Sequence, residues 1–184
     1  MGVDSAPAGA PPDGDGVAVG EGPIRVDAYI DFLCPFCRMF EEQNGAALDE
    51  MADGGLITLV YHPLGFLDRL STTRYSTRAA AASGCASDGG RFRAYLYALY
   101  DNQPPEGGTG LSDEQLVQLG VQTGLDDGFG ACVLDRRYIP WAESMTALSV
   151  QRGVTGTPTV YVDGVSVPAT ARAILSVAQA ELQR

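Results

Sequence analysis

The chain has 184 residues, 45% of them hydrophobic and 19% charged, with a formal net charge of -11. That composition excludes a disordered or fibrous chain, and at this length roughly 70% of the unfolded surface can be buried, so a core needs neither disulfides nor metals to form. The acidic excess argues against nucleic acid or anionic lipid as a partner, because phosphate binding relies on clustered basic side chains and the twelve here are scattered singly or in pairs such as Arg136-Arg137.

In chain order, the opening MGVDSAPAGAPPDGDGVAVGEG, residues 1–22, reads as a flexible linker rich in Gly, Pro, Ala and Asp. It has no charged start followed by an apolar core, and the chain has no apolar run of about 18 residues, so neither a signal peptide nor a membrane span is expected within it. A linker at the very start suggests that an export signal or membrane anchor precedes it in the natural protein. Ile24 to Asp31 alternates with β-branched and aromatic residues and predicts a strand ending before Cys34-Pro35. A helix then starts with Pro35 in its first turn, carries a discontinuous apolar stripe of Phe36, Met39, Phe40 and Leu48, and ends at Gly54-Gly55. Leu56 to Tyr61 predicts a second strand, giving a right-handed βαβ unit.

From 71 to 152 the pattern turns helical, and we read it as an insertion. Ser112, with Glu114 and Gln115 nearby, predicts a capped helix start; Gly120 and Gly124 weaken or end that helix, and Pro140 kinks or begins the last one. In TPTVYVDGVSVP, two short strands flank Asp163-Gly164, a hairpin signal, and a closing helix follows over about 169–182. The order βαβ, helices, ββα predicts a mixed α/β sheet with a helical lid.

The chemistry concentrates in CPFC. Cys34 falls where a strand hands over to a helix, with Cys37 three residues on, so both sulfurs share a helical face. The macrodipole and unpaired N–H groups there favour a Cys34 thiolate, and Cys37 is expected to be the poorer nucleophile. Zinc takes paired Cys or His ligands, whereas Cys85 and Cys132 stand alone and the sole histidine is His62, so redox use is preferred and neither metal nor cofactor is expected. His62, between a strand and Pro63, reads as a loop residue and not a base. Trp141 with Tyr138 reads as helix packing. Phe32, Pro35 and Phe36 form either an apolar patch for unfolded peptide or, for Phe32, ordinary core.

DFLCPFC, followed much later by GVTGTPTVYVDG, resembles the DsbA-like branch of the thioredoxin superfamily in its extracytoplasmic, actinobacterial-type form. The resemblance implies a thioredoxin-like fold built from residues 23–70 and 153–184 around the helical insertion. It implies an oxidoreductase that forms disulfides in exported proteins through a Cys34–Cys37 pair, with Pro35, Phe36, Thr157 and Pro158 as the active-site loops. Pro158 is then a cis proline beside the pair; proline carries no N–H and its cis form costs only about 0.5–1 kcal/mol. The resemblance further implies a structural Cys85–Cys132 disulfide, exported reduced proteins as substrates, a membrane redox partner of DsbB or vitamin-K-epoxide-reductase type, and a monomer. Two departures stand out. Phe36 replaces the histidine of strongly oxidising relatives, which predicts a less oxidising couple. Ala28 replaces a buried acid; Asp27 and Asp31 are nearby candidates for proton transfer, although a solvated position suits either better. The rivals are a reductase or isomerase of the same fold and a peptide-binding chaperone module with idle cysteines.

Overall fold

The structure, a computed structural model, describes residues 5–184. Its central strand, β2 (Ile24–Ile30), buries Val26, Ala28 and Ile30 completely and Tyr29 almost so, as a strand covered on both faces must. With β1 (Val17–Val19), β3 (Ile57–Pro63), β4 (Thr159–Val162) and β5 (Val165–Val167) it forms a sheet of order β1-β3-β2-β4-β5. β2 and β3 run parallel, Ile24 opposite Ile57 and Ile30 opposite Pro63, while the other pairings are antiparallel. The β2–β3 crossover is the helix α1 (Pro35–Asp53), with Gly54 at its C-cap. Phe40 and Leu48 of the predicted stripe are buried, but Phe36 and Met39 are exposed: the stripe's N-terminal end faces solvent beside the cysteines instead of the core.

Asp163 (φ 45) and Gly164 (φ 82) turn β4 into β5 with two consecutive left-handed residues, as a two-residue hairpin requires. The helix α7 (Ala171–Leu182), capped by Thr170, packs on α1, β2 and β4. Between β3 and β4 lie α2 (Tyr75–Asp88), α3 (Phe92–Asp101), α4 (Asp113–Gln122), α5 (Asp127–Leu134) and α6 (Ile139–Gln151). Ser112 and Gln115 form a full capping box at α4, which runs through Gly120. Arg136 turns left-handed between α5 and α6, so these are two separate helices, and Pro140 lies in the first turn of α6. A Cys85–Cys132 disulfide joins α2 to α5. Trp141 is buried edge-on to Tyr138.

The linker expected over 1–22 is corrected for residues 5–22; residues 1–4 lie outside the described residues. This segment is a strap. β1 adds to β3, Trp141 Nε1 donates to the Gly14 carbonyl at 3.0 Å, and a side chain at Gly16 would meet the Tyr61 carbonyl at 2.6 Å, so the chain lies tight against the sheet. Asp15 is buried, and its carboxylate pairs with His62 Nδ1 at 3.1 Å and with Arg152. Local composition predicted disorder; long-range pairing overrides it.

His62 is likewise not in a loop. It sits in β3, stacks on Tyr29 at 4.3 Å and bridges Asp15 to Asp27, whose carboxylate lies 2.7 Å from Nε2 and also pairs with Arg25. Burial alone would lower the imidazole pKa, but the hydrogen bonds and charges of the two carboxylates outweigh it and raise it. Burial would raise the Asp15 carboxyl; His62 and Arg152 outweigh it and bring it to about 2. A depressed carboxyl contributes stability that is present above its unfolded pKa near 3.8 and is lost as pH falls through its folded value near 2. Asp15→Asn is therefore expected to cost roughly 2 kcal/mol at pH 6, with the gap to the parent narrowing as pH falls below about 4. Urea unfolding at several pH values reads this, and a gap independent of pH would contradict it.

Candidate active site

Cys34 occupies the N-cap of α1 in an extended conformation (φ -76, ψ 117), with Pro35 opening the helix and Cys37 in the first turn. A tight turn delivers it there: Cys34 N donates to the Asp31 carbonyl at 3.1 Å and Leu33 N to Asp31 Oδ1 at 2.9 Å. Both cysteines are free thiols. The Thr157–Pro158 peptide is cis, and the Cys34 thiol is placed to donate to the Thr157 carbonyl at 3.5 Å. The pairing of Tyr29 with Thr159 is what sets this loop beside the turn that leaves β2. The structure thus brings Cys34, Pro35, Phe36, Cys37, Thr157 and Pro158 together, while Cys85 and Cys132 are closed in their own bond.

The two sulfurs differ sharply. The hydrogen bond from Cys37, with further support from Thr157 and from the N–H groups of Phe36 and Cys37, overcomes burial and brings the Cys34 thiol down to about 6. Burial, followed by the hydrogen bond and charge of Cys34, pushes Cys37 well above the usual thiol range. Cys34 opens onto a groove of about 610 Å³ whose walls include Phe36, Phe66, Leu67, Val150 and Thr157. Phe36 is 67% exposed at its mouth. Phe32 lies in the core against Tyr100.

Asp31 is fully buried rather than solvated, and Asp27 is held in its ion pairs. The Asp31 carboxylate accepts from Leu33 N, from Ser76 Oγ at 2.7 Å and from Leu67 N at 2.9 Å, so it ties the cysteine turn to α2 and to the groove wall. Burial raises its carboxyl to about 6 against the pull of those hydrogen bonds. The sequence reading missed Gln103, whose Nε2 donates to the carbonyls of Phe32 at 2.9 Å and Cys34 at 3.0 Å. It also missed Glu41, buried one turn beyond Cys37 and paired with Arg93 at 3.3 Å. The only signal for Glu41 was a carboxylate at i+4 from a cysteine; for Gln103 there was none.

A thiolate-forming sulfur in front of a buried thiol, beside a proline that offers no N–H, is suited to exchanging disulfides. Comparison with known proteins agrees. Residues 15–177 match the thioredoxin family. The oxidised DsbA of Mycobacterium tuberculosis is 30% identical, with a TM-score of 0.80 over 90% of this chain and 92% of that one. The reduced disulfide bond oxidoreductase DsbG of the same organism is 32% identical, with a TM-score of 0.75 over 83% of this chain and 80% of that one. The serine/threonine-protein kinase PknE of M. tuberculosis is 29% identical over 160 residues, and the match spans 80% of this chain but only 28% of the kinase's length. The chain belongs to the thioredoxin family and is DsbA-like in fold and sequence over nine-tenths of its length.

Proposed function

We propose that the protein forms disulfides in exported proteins, with Cys34 as the exchanging sulfur and Cys37 as its resolving partner. The observation that carries this is the placement of Cys34 at the N-cap of α1 against the cis Thr157–Pro158 loop, with Cys37 completely buried one turn behind it. In the oxidised enzyme a substrate thiolate attacks Cys34 Sγ, and the Cys34–Cys37 bond breaks with its electron pair going to Cys37, which takes up a proton. A second substrate thiolate attacks the substrate sulfur of the mixed disulfide, and Cys34 leaves as a thiolate. Two electrons pass to the enzyme. Because a low-pKa thiolate leaves readily and stabilises the reduced state, the direction favoured is oxidation of the client.

Thr157 and Pro158 form the substrate-facing loop, and Phe36 with the apolar groove receives unfolded polypeptide. An extracytoplasmic location is supported by the Cys85–Cys132 bond, since such bonds persist in oxidising compartments. No helix among the described residues is long and apolar enough to cross a membrane. Reoxidation by a membrane partner of DsbB or vitamin-K-epoxide-reductase type, and action as a monomer, complete the reading.

Two measurements test it. The oxidised protein is expected to oxidise a reduced, disulfide-dependent test protein faster than the reduced form reduces insulin; the reverse order would mark a reductase. In the reduced protein, iodoacetamide is expected to alkylate Cys34 with a half-maximal rate near pH 6, against about 8.5 for a free thiol, and to spare Cys37. The thiolate predominates above that midpoint, so reactivity falls as pH drops through it, and a midpoint at the free-thiol value would remove the assignment.

A further inference from the structure

The turn from β2 into α1 solves its hydrogen bonding unevenly. Its N–H groups are used locally, Leu33 on the Asp31 carboxylate and Cys34 on the Asp31 carbonyl. Its carbonyl oxygens face the helical insertion. Phe32 is completely buried, and the sole donor to its carbonyl among the described residues is Gln103 Nε2. The same nitrogen reaches the Cys34 carbonyl, which also accepts from Arg38 N at 3.2 Å. Tyr100 OH, one turn earlier, donates to the Asp31 carbonyl at 3.3 Å. Gln103 is not a loose surface side chain: its own N–H donates to the Tyr100 carbonyl at 3.2 Å, prolonging the end of α3, and Pro104-Pro105 hold the next residues at fixed φ.

We propose that Gln103 is a positioning residue for Cys34: its side-chain amide clamps the carbonyls on both sides of Leu33 and so sets the turn that carries the reactive sulfur. The inference rests on the reading of Cys34 as the exchanging thiol. Two effects follow from the clamp. The carbonyls are kept in place, so the sulfur stays against Thr157 and the N–H groups of the first helical turn. The positive end of the amide dipole also offsets two carbonyl oxygens whose negative ends would otherwise disfavour a thiolate nearby. The amide does not titrate, so this support is constant with pH. The groups that titrate around Cys34 are Cys37 on α1, Asp31 just after β2 and Tyr100 on α3, and the side chains of Arg69 and Glu106 line the same groove.

The test compares Gln103→Met, which keeps the volume and loses the donors, with Gln103→Glu, which puts a carboxylate where the amide stood. Both are made in the full chain. The reduced proteins are titrated by the ultraviolet absorbance of the thiolate, and each is equilibrated with glutathione. The Met variant is expected to raise the Cys34 midpoint by roughly half to one pH unit, the size of one lost hydrogen bond, and the Glu variant by more. The glutathione equilibrium is expected to move about threefold to tenfold toward the protein disulfide, making a weaker oxidant. Variants that fold with the parent midpoint and equilibrium overturn the inference, leaving Gln103 only a partner for a buried carbonyl; failure of both to fold overturns it equally. A parent midpoint at the free-thiol value instead removes the Cys34 assignment, and the clamp with it.

Discussion

Replacing Cys34 with serine is expected to lower thiol–disulfide exchange by on the order of 10³-fold or more while leaving the fold intact. A serine hydroxyl occupies nearly the same volume at the N-cap, where it also suits the helix start. What it lacks is an ionisable sulfur. Cys37 does not substitute, because it is completely buried and its thiol is held protonated by burial and by its neighbour. The complementary Cys37→Ser variant keeps the reactive thiolate without the resolving group: offered a client peptide whose cysteine is joined to glutathione, Cys34 attacks the client sulfur, glutathione leaves as a thiolate, and the mixed disulfide of protein and peptide is expected to accumulate. Release of glutathione from that peptide, beside circular dichroism, reads both results. Exchange at the parent rate in folded Cys34→Ser would leave the mechanism without its centre.

Joint replacement of Cys85 and Cys132 by alanine is expected to destabilise the protein by about 4 kcal/mol in the chain-entropy account of a cross-link, for a sequence separation of 47 residues. For a chain of this size that corresponds to a melting temperature lower by roughly 8–16 °C. The bond joins α2 to α5, both outside the cysteine turn, so the alkylation profile of Cys34 is expected to survive below the new transition. Thermal melts under non-reducing conditions decide the first point and alkylation the second. A melting point within about 1 °C of the parent would show that helix packing alone holds the insertion together.

What was readable in the sequence was what is encoded locally. CPFC at a strand–helix boundary, Asp163-Gly164 between two apolar runs and Ser112 three residues before Gln115 each carry their geometry within a few residues, and each forms as expected. The cis geometry at Pro158 was reached through family likeness, and no local feature of TGTP dictates it. What escaped the reading depends on partners far along the chain. The strap looked like a linker because it is rich in Gly, Ala, Pro and Asp, yet Asp15 is ordered by His62 and Arg152, 47 and 137 residues away. His62 was assigned to a loop because Pro63 follows; but Pro63 ends β3 opposite Ile30, a position where a missing N–H is tolerated. Asp31 and Gln103 act through backbone groups, and such contacts leave no periodicity to detect.

The strap touches the sheet and two helices of the insertion. Ala8 is tied to Asp88 and Ser87 at the end of α2, Gly14 to α6, and Asp15 to both the sheet and the residue that ends α6. Such lashing joins the sheet to α2 and α6 through residues far apart in the chain, so these helices and the sheet are expected to unfold together and not piecewise.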